Sequence, residues 1–485
     1  MGDTAFRVVK NSMALGLATG LERVIAFVLT LYIARLLGPL SLGEYTLVIS
    51  FLAIFTTISS FGQHLIVPRE VARQPSQALS FFVNSGIIGL TVSFPTTVVM
   101  VAIAHLLDYS DQVTAYIFIV GLVLFPETLV SIGEATVQGL EKLEYVTIVK
   151  FLTSVFRVGV SLAALQQGYG LRAAFVVWGV SQTIAVIAYL WLVARTTNTF
   201  RLRPSPPMLK QLVRSSFIFL VVNVYAMLFR RMDVVLLSKI GSIEAVGIYA
   251  AASRLVLLID ALAPAFLLSV FPVLSVSYVN FKERFSRIST AALKLMVILV
   301  IPVTFVLAIV ADKLLPMLFG ERFTASVPVF QVLVWMLIPG LTSSTLFRAI
   351  LASNNEKVSL LFGAVKAVVN VTLNLLLIPR YGALGASITA VVTQSVALIQ
   401  VYWFTSNRLF KINLIEIFAK PGLCALVSGL LFLYFWRAQL YLLLPISLLL
   451  YLGLLIALKV LSQREWLIIL GLWHTATGRH STTLE

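Results

Sequence analysis

Eleven ionisable side chains lie within or at the edges of long apolar runs: Glu22, Arg23, Glu127, Arg157, Arg230, Arg231, Asp233, Arg254, Asp260, Arg348 and Lys366. A charge at the centre of a lipid bilayer costs roughly 2.5–3.5 kcal/mol on insertion scales, so such groups turn toward protein or water and are functional by default. Seven of the eleven are basic. Gathered on one aqueous cavity they would make its potential positive, and the planar guanidinium fork suits the paired oxygens of a phosphate. Arg23, Arg157, Arg231, Arg254 and Arg348 are therefore expected to contact a ligand carrying phosphate or diphosphate. Glu22, Glu127, Asp233 and Asp260 are expected to pair with cations or to bind a coupling ion. The structural alternatives are that Arg231 pairs with Asp233 or with a carboxylate on a neighbouring helix and that Arg230 snorkels from a span end.

Other chemistries find little support. Cys424 is the sole cysteine and lies in an apolar run, which leaves no intramolecular disulfide. His64, His105, His474 and His480 are far apart and lack metal-ligand spacing, so no metal is expected. There is no G-x-x-x-x-G-K-[ST] loop for nucleotide hydrolysis. No catalytic residue and no cofactor are expected. The net charge of +16 would suggest nucleic acid in a soluble protein, but here its distribution gives it another meaning.

The elements that must position these residues are spans. Hydrophobic residues make up 59% of the 485 and charged ones 12%, with a mean hydropathy of +0.99, which places the chain in lipid. Fourteen apolar stretches fall near 13–36, 44–67, 79–106, 113–137, 145–166, 172–195, 213–238, 246–275, 290–311, 325–352, 358–379, 384–406, 417–436 and 439–460. Alternate loops hold twenty basic residues against seven, the bias expected when both termini are cytoplasmic. The first stretch follows Arg7 and Lys10 but is too long for a signal peptide and lacks a clean cleavage site. The Pro-rich basic segment Arg195 to Arg214 reads as a linker whose charges set topology. The expected division is 1–195, a linker over 196–212, a second half over 213–406, two further spans over 407–462 and a tail over 463–485. Gln463 to Trp473 is either an amphipathic interfacial segment or an ordinary terminus.

Two stretches recur. Gly38-Pro-Leu-Ser-Leu-Gly43-Glu-Tyr45 resembles Gly241-Ser-Ile-Glu-Ala-Val-Gly247-Ile-Tyr249 with one inserted residue. Tyr169-Gly170 with Ala174 and Gln182 matches Tyr381-Gly382 with Ala386 and Gln394 at a constant offset of 212. An offset of six spans makes the copies parallel, related by an axis along the membrane normal, and predicts two facing six-helix lobes with a cavity between them.

The stretch Arg231-Met-Asp233 followed by Val246-Gly247-Ile-Tyr249-Ala-Ala-Ala252-Ser-Arg254-Leu255 resembles the R-x-D…V-G-x-Y-x-x-A-x-R-L signature of polysaccharide flippases. Phe271-Pro272-Val-Leu274, Leu318-Phe319-Gly320-Glu-Arg-Phe323 and Asn370-Val-Thr-Leu-Asn374 through Pro379-Arg-Tyr381-Gly382 to Ala386 follow in family order. The resemblance implies an all-α polytopic protein of the multidrug, oligosaccharidyl-lipid and polysaccharide exporter superfamily, with two six-helix bundles in a V. It implies a polyprenyl-diphosphate-linked oligosaccharide as cargo in the cytoplasmic membrane, surrounding lipid as a further partner, and polysaccharide polymerase machinery as a companion. The rivals are a cation-coupled multidrug antiporter, a lipid II flippase of the same superfamily, and a membrane polymerase, ligase or glycosyltransferase. Short outward loops and the lack of a water-exposed domain oppose the enzymes.

Overall fold

The computed structural model describes residues 20, 22, 24–197, 204–260, 263–355, 357–435, 440–458 and 460. These residues form helices and turns. In chain order the helices are α1 (Val24–Leu37), α2 (Pro39–Ser59), α3 (Gln63–Arg73), α4 (Ala78–Leu106), α5 (Asp111–Gly139), α6 (Leu143–Gln166), α7 (Gly170–Thr197), α8 (Pro206–Leu236) and α9 (Ile243–Asp260). They continue as α10 (Ala263–Asn280), α11 (Lys282–Phe319), α12 (Ser326–Leu333), α13 (Leu337–Ala352), α14 (Lys357–Tyr381), α15 (Ala383–Arg408), α16 (Leu414–Phe435) and α17 (Leu440–Ala457). Among the described residues ten helical segments are long and apolar enough to cross a membrane, and Val24–Leu37 and Ile446–Ala457 are shorter apolar helices.

Local sequence explains where the helices start and break. Pro39 and Pro206 open α2 and α8 at positions where an amide hydrogen would have no partner. Ser110 caps α5 by accepting from the Val113 amide. The expected span 44–67 is broken at Gly62, giving α2 and α3. The expected span 246–275 is covered by α9 and α10, and the span 325–352 holds α12, a 3-10 turn over Val334–Met336 and α13. The linker expected through 212 ends earlier, because α8 begins at Pro206 and buries Leu212 in a core with Ile66, Phe81, Ile132 and Tyr189. Met208 and Leu209, from the first turn of α8, pack against the same core.

The chain divides into two compact units between Ala250 and Ala251. In the first, α5 packs on α4 and α7, and α6 on α7. In the second, α13 and α14 pack on α15, and α16 and α17 pair beside α11. One contact in the second unit follows directly from hydrogen-bond accounting. Pro302 inside α11 has no N–H to donate to the Ile298 carbonyl four residues earlier, and the buried Tyr451 hydroxyl of α17 donates to that oxygen at 2.8 Å.

The two recurring turns are alike in backbone. Gly170 has φ 66° and Gly382 φ 54°, left-handed values at the start of α7 and α15 that favour glycine at both places.

Candidate cavity of the first unit

Three helices of the first unit direct polar side chains at one another through simple spacing. Glu127, Ser131 and Glu134 fall at i, i+4 and i+7 on α5, and Lys150, Ser154 and Arg157 at the same spacing on α6. Trp178, Gln182, Ala185 and Tyr189 continue the pattern along α7. In a 3.6-residue helix each set shares one face. These faces surround a cavity of about 230 Å³, which Glu22 and Thr56 also line.

The cavity wall is organised by charge. Lys150 Nζ lies 2.9 Å from Glu134 Oε2, and each side chain keeps 25% of its surface exposed. Trp178 Nε1 donates to Glu127 Oε2 at 3.0 Å, and the Gln182 amide donates to the same oxygen. Arg157 stacks over the Trp178 ring at 4.7 Å, so one indole joins the guanidinium and the carboxylate. Two polar atoms remain without a hydrogen-bond partner among the described residues: Thr56 Oγ1 and Arg157 Nε. Such groups are costly in a low-dielectric site unless something meets them.

The structure thus brings Glu22, Glu127 and Arg157 together and adds Glu134 and Lys150, which are not among the residues expected from sequence. Both were within reach of sequence: Glu134 is seven residues from Glu127 and Lys150 seven from Arg157. The cavity is not solely basic, since three carboxylates share it with two cations.

The remaining candidates lie elsewhere. Asp233 on α8 accepts from the Tyr249 hydroxyl at 2.9 Å and from the Val234 amide at 2.9 Å, with Arg231 close enough to act on its charge. The R-x-D and V-G-x-Y pieces of the signature therefore meet, stitching α8 to α9. Arg254 and Asp260 lie on α9 beyond Ala250, and half-buried Arg348 lies on α13. Lys366 donates to Gln394 Oε1 at 2.9 Å, joining α14 to α15. Arg23 and the side chain of Arg230 lie outside the described residues. Among the described residues no group of three or more His, Cys, Asp and Glu is arranged to hold a metal, and Cys424 is free and buried.

Ten such apolar helices among the described residues, with paired charges inside them, mark a multi-pass membrane protein. The solved structure of the lipid II flippase MurJ in its inward closed conformation superposes with a TM-score of 0.73 over 91% of this chain and 98% of that one, at 14% identity. The profile of the family described as polysaccharide biosynthesis protein matches residues 8–278, more than half of the chain, and the chain belongs to that family. A Shigella flexneri protein assigned as an O-antigen transporter is 24% identical over 400 residues, covering 79% of this chain and 94% of that protein. A Haloferax volcanii protein assigned as the low-salt glycan biosynthesis flippase Agl15 is 19% identical over 439 residues, covering 88% and 89%.

Proposed function

We propose that this protein flips a polyprenyl-diphosphate-linked oligosaccharide from the inner to the outer leaflet of the cytoplasmic membrane by alternating access. The observation that carries the reading is membership of the polysaccharide biosynthesis family, joined to relatives matched over most of their length and assigned as an O-antigen transporter and a glycan flippase. In this reading fourteen spans form two six-helix lobes in a V with two further helices, and both termini are cytoplasmic. The protein is a transporter without catalytic residues, and polysaccharide polymerase machinery receives its product.

The headgroup is held by its diphosphate and first sugars while the lipid tail stays in the bilayer. Arg23, Arg157, Arg231, Arg254 and Arg348 are proposed to contact it, with Asp233, Asp260, Glu22 and Glu127 pairing those cations or binding a coupling ion. An inside-negative potential favours outward movement of an anionic headgroup by roughly 2.3 kcal/mol per charge per 100 mV. The test is a set of alanine variants at Arg254 and Arg348 reconstituted in proteoliposomes. Each is expected to lower the rate of headgroup translocation about tenfold or more while insertion is unchanged, as loss of a charge-assisted phosphate contact would. Unchanged rates in both would overturn the assignment of these arginines.

A further inference from the structure

We propose that the cavity of the first unit is a subsite for a single sugar ring of the cargo, gripped through its hydroxyl groups. Only the origin of that sugar rests on the flippase reading. At about 230 Å³ the cavity falls below the roughly 300–1,000 Å³ typical of sites for drug-sized ligands, so it takes one ring and not a chain of them. A pyranose offers neighbouring hydroxyls, each of which donates one hydrogen bond and accepts others. The wall that fits it sets fixed acceptors beside fixed donors. Trp178 and Gln182 both donate to Glu127 Oε2, which leaves Oε1 of the same carboxylate to accept from a ligand. Arg157 is held over the same indole at 4.7 Å, and its Nε has no acceptor among the described residues. One tryptophan, itself behind the lining, thus fixes an acceptor on α5 and a donor on α6, so little freedom is lost when a ligand binds. Thr56 Oγ1, without a partner among the described residues, lines the same space from α2 and serves as donor or acceptor. Glu134 and Lys150, 2.9 Å apart and each with 25% of its side chain exposed, leave further acceptor and donor capacity open. A diphosphate diester, by contrast, brings only acceptors and negative charge to these carboxylates. The diphosphate of the headgroup therefore finds its partners elsewhere, and Arg157 meets the headgroup at a sugar.

The recurring sequence in the second unit argues that the fold does not demand this wall. At the offset of 212 that aligns α7 with α15, Gln182 is kept as Gln394, but Trp178 and Tyr189 become Ala390 and Val401. Gln394 accepts from the Lys366 ammonium where Gln182 donates to the Glu127 carboxylate. The second copy packs its helices without the indole or the carboxylate contact, so in the first copy these groups are free to serve a ligand.

The experiment uses the full chain in detergent, with methyl glycosides of neutral hexoses and N-acetylhexosamines as probes and inorganic pyrophosphate as the competing anion. Binding is read as the rise in melting temperature with probe concentration. At least one glycoside is expected to raise it in a saturable way, and pyrophosphate is expected not to displace that glycoside. Thr56→Val and Glu127→Gln are each expected to weaken the apparent affinity about tenfold, as loss of one hydrogen bond in a buried site would. Trp178→Phe, which keeps a ring under Arg157 and removes only the Nε1 donor, is expected to weaken it less than Glu127→Gln does. A panel in which no glycoside stabilises the wild type would overturn the proposal. So would unchanged affinity in both Thr56→Val and Glu127→Gln with their unliganded melts intact, which would put the sugar elsewhere, and so would displacement by pyrophosphate. Glycoside binding in a protein that translocates no polyprenyl-diphosphate sugar would leave the subsite standing and sink the flippase reading.

Discussion

Gly43 of α2 and Gly247 of α9 lie backbone to backbone. A Cβ on Gly43 would collide with the Ile243 carbonyl oxygen, and one on Gly247 with the Pro39 carbonyl oxygen. The two glycines are counterparts in the recurring stretches, so the repeat meets itself at this crossing. Alanine in place of a helical glycine ordinarily stabilises by about 0.8–1 kcal/mol. At Gly43 or Gly247 it is expected instead to destabilise by about 1–3 kcal/mol, because rigid backbone must move. Thermal melts in detergent decide the sign, with Gly159→Ala, which has open space around it, as the control that should not fall.

The Tyr451 hydroxyl satisfies a carbonyl that Pro302 leaves without its helical donor. Tyr451→Phe is expected to cost about 1–3 kcal/mol, the penalty of an orphaned buried acceptor. In a Pro302→Ala background the amide returns, and the same change is expected to be nearly neutral. A double-mutant cycle on melting temperatures measures the difference. Equal costs in both backgrounds would show that Tyr451 serves packing alone.

Asp233 and Tyr249 are bonded at 2.9 Å between α8 and α9. Tyr249→Phe withdraws a donor from a carboxylate and is expected to lower stability by about 1.5–3 kcal/mol. Asp233→Asn is expected to cost less, since an amide oxygen still accepts from the phenol. Urea or thermal unfolding of the single and double variants in detergent checks this, with the pair expected to be less than additive.

Much of this arrangement was legible in the sequence, for reasons visible residue by residue. The apolar runs mark helices because lipid admits little else, and the turn glycines Gly170 and Gly382 repeat because both need positive φ. Helix breaks were harder: nothing in the hydropathy of 44–67 separates α2 from α3, where Gly62 turns the chain. The charged residues were visible as types, but their company was not. Arg157 reads as one more phosphate ligand, and nothing in the hydropathy shows that α7 places Trp178 beneath it or that α5 sets Glu127 on the same indole. Asp233 reads as a partner for Arg231, which does act on its charge, while the hydrogen bond it accepts from Tyr249, sixteen residues on in the next helix, has no sequence signal. Periodicity finds faces, and only packing decides which faces meet.

The most direct test of the central claim is translocation itself. Purified protein is placed in proteoliposomes with a fluorescent polyprenyl-diphosphate oligosaccharide, and sugar accessibility is followed on each leaflet, with efflux of a cationic dye measured in parallel. The account predicts protein-dependent exchange of the sugar headgroup between leaflets, slowed by Arg254→Ala, and no dye efflux. Dye efflux driven by an ion gradient, with the sugar remaining on its original leaflet, would contradict it.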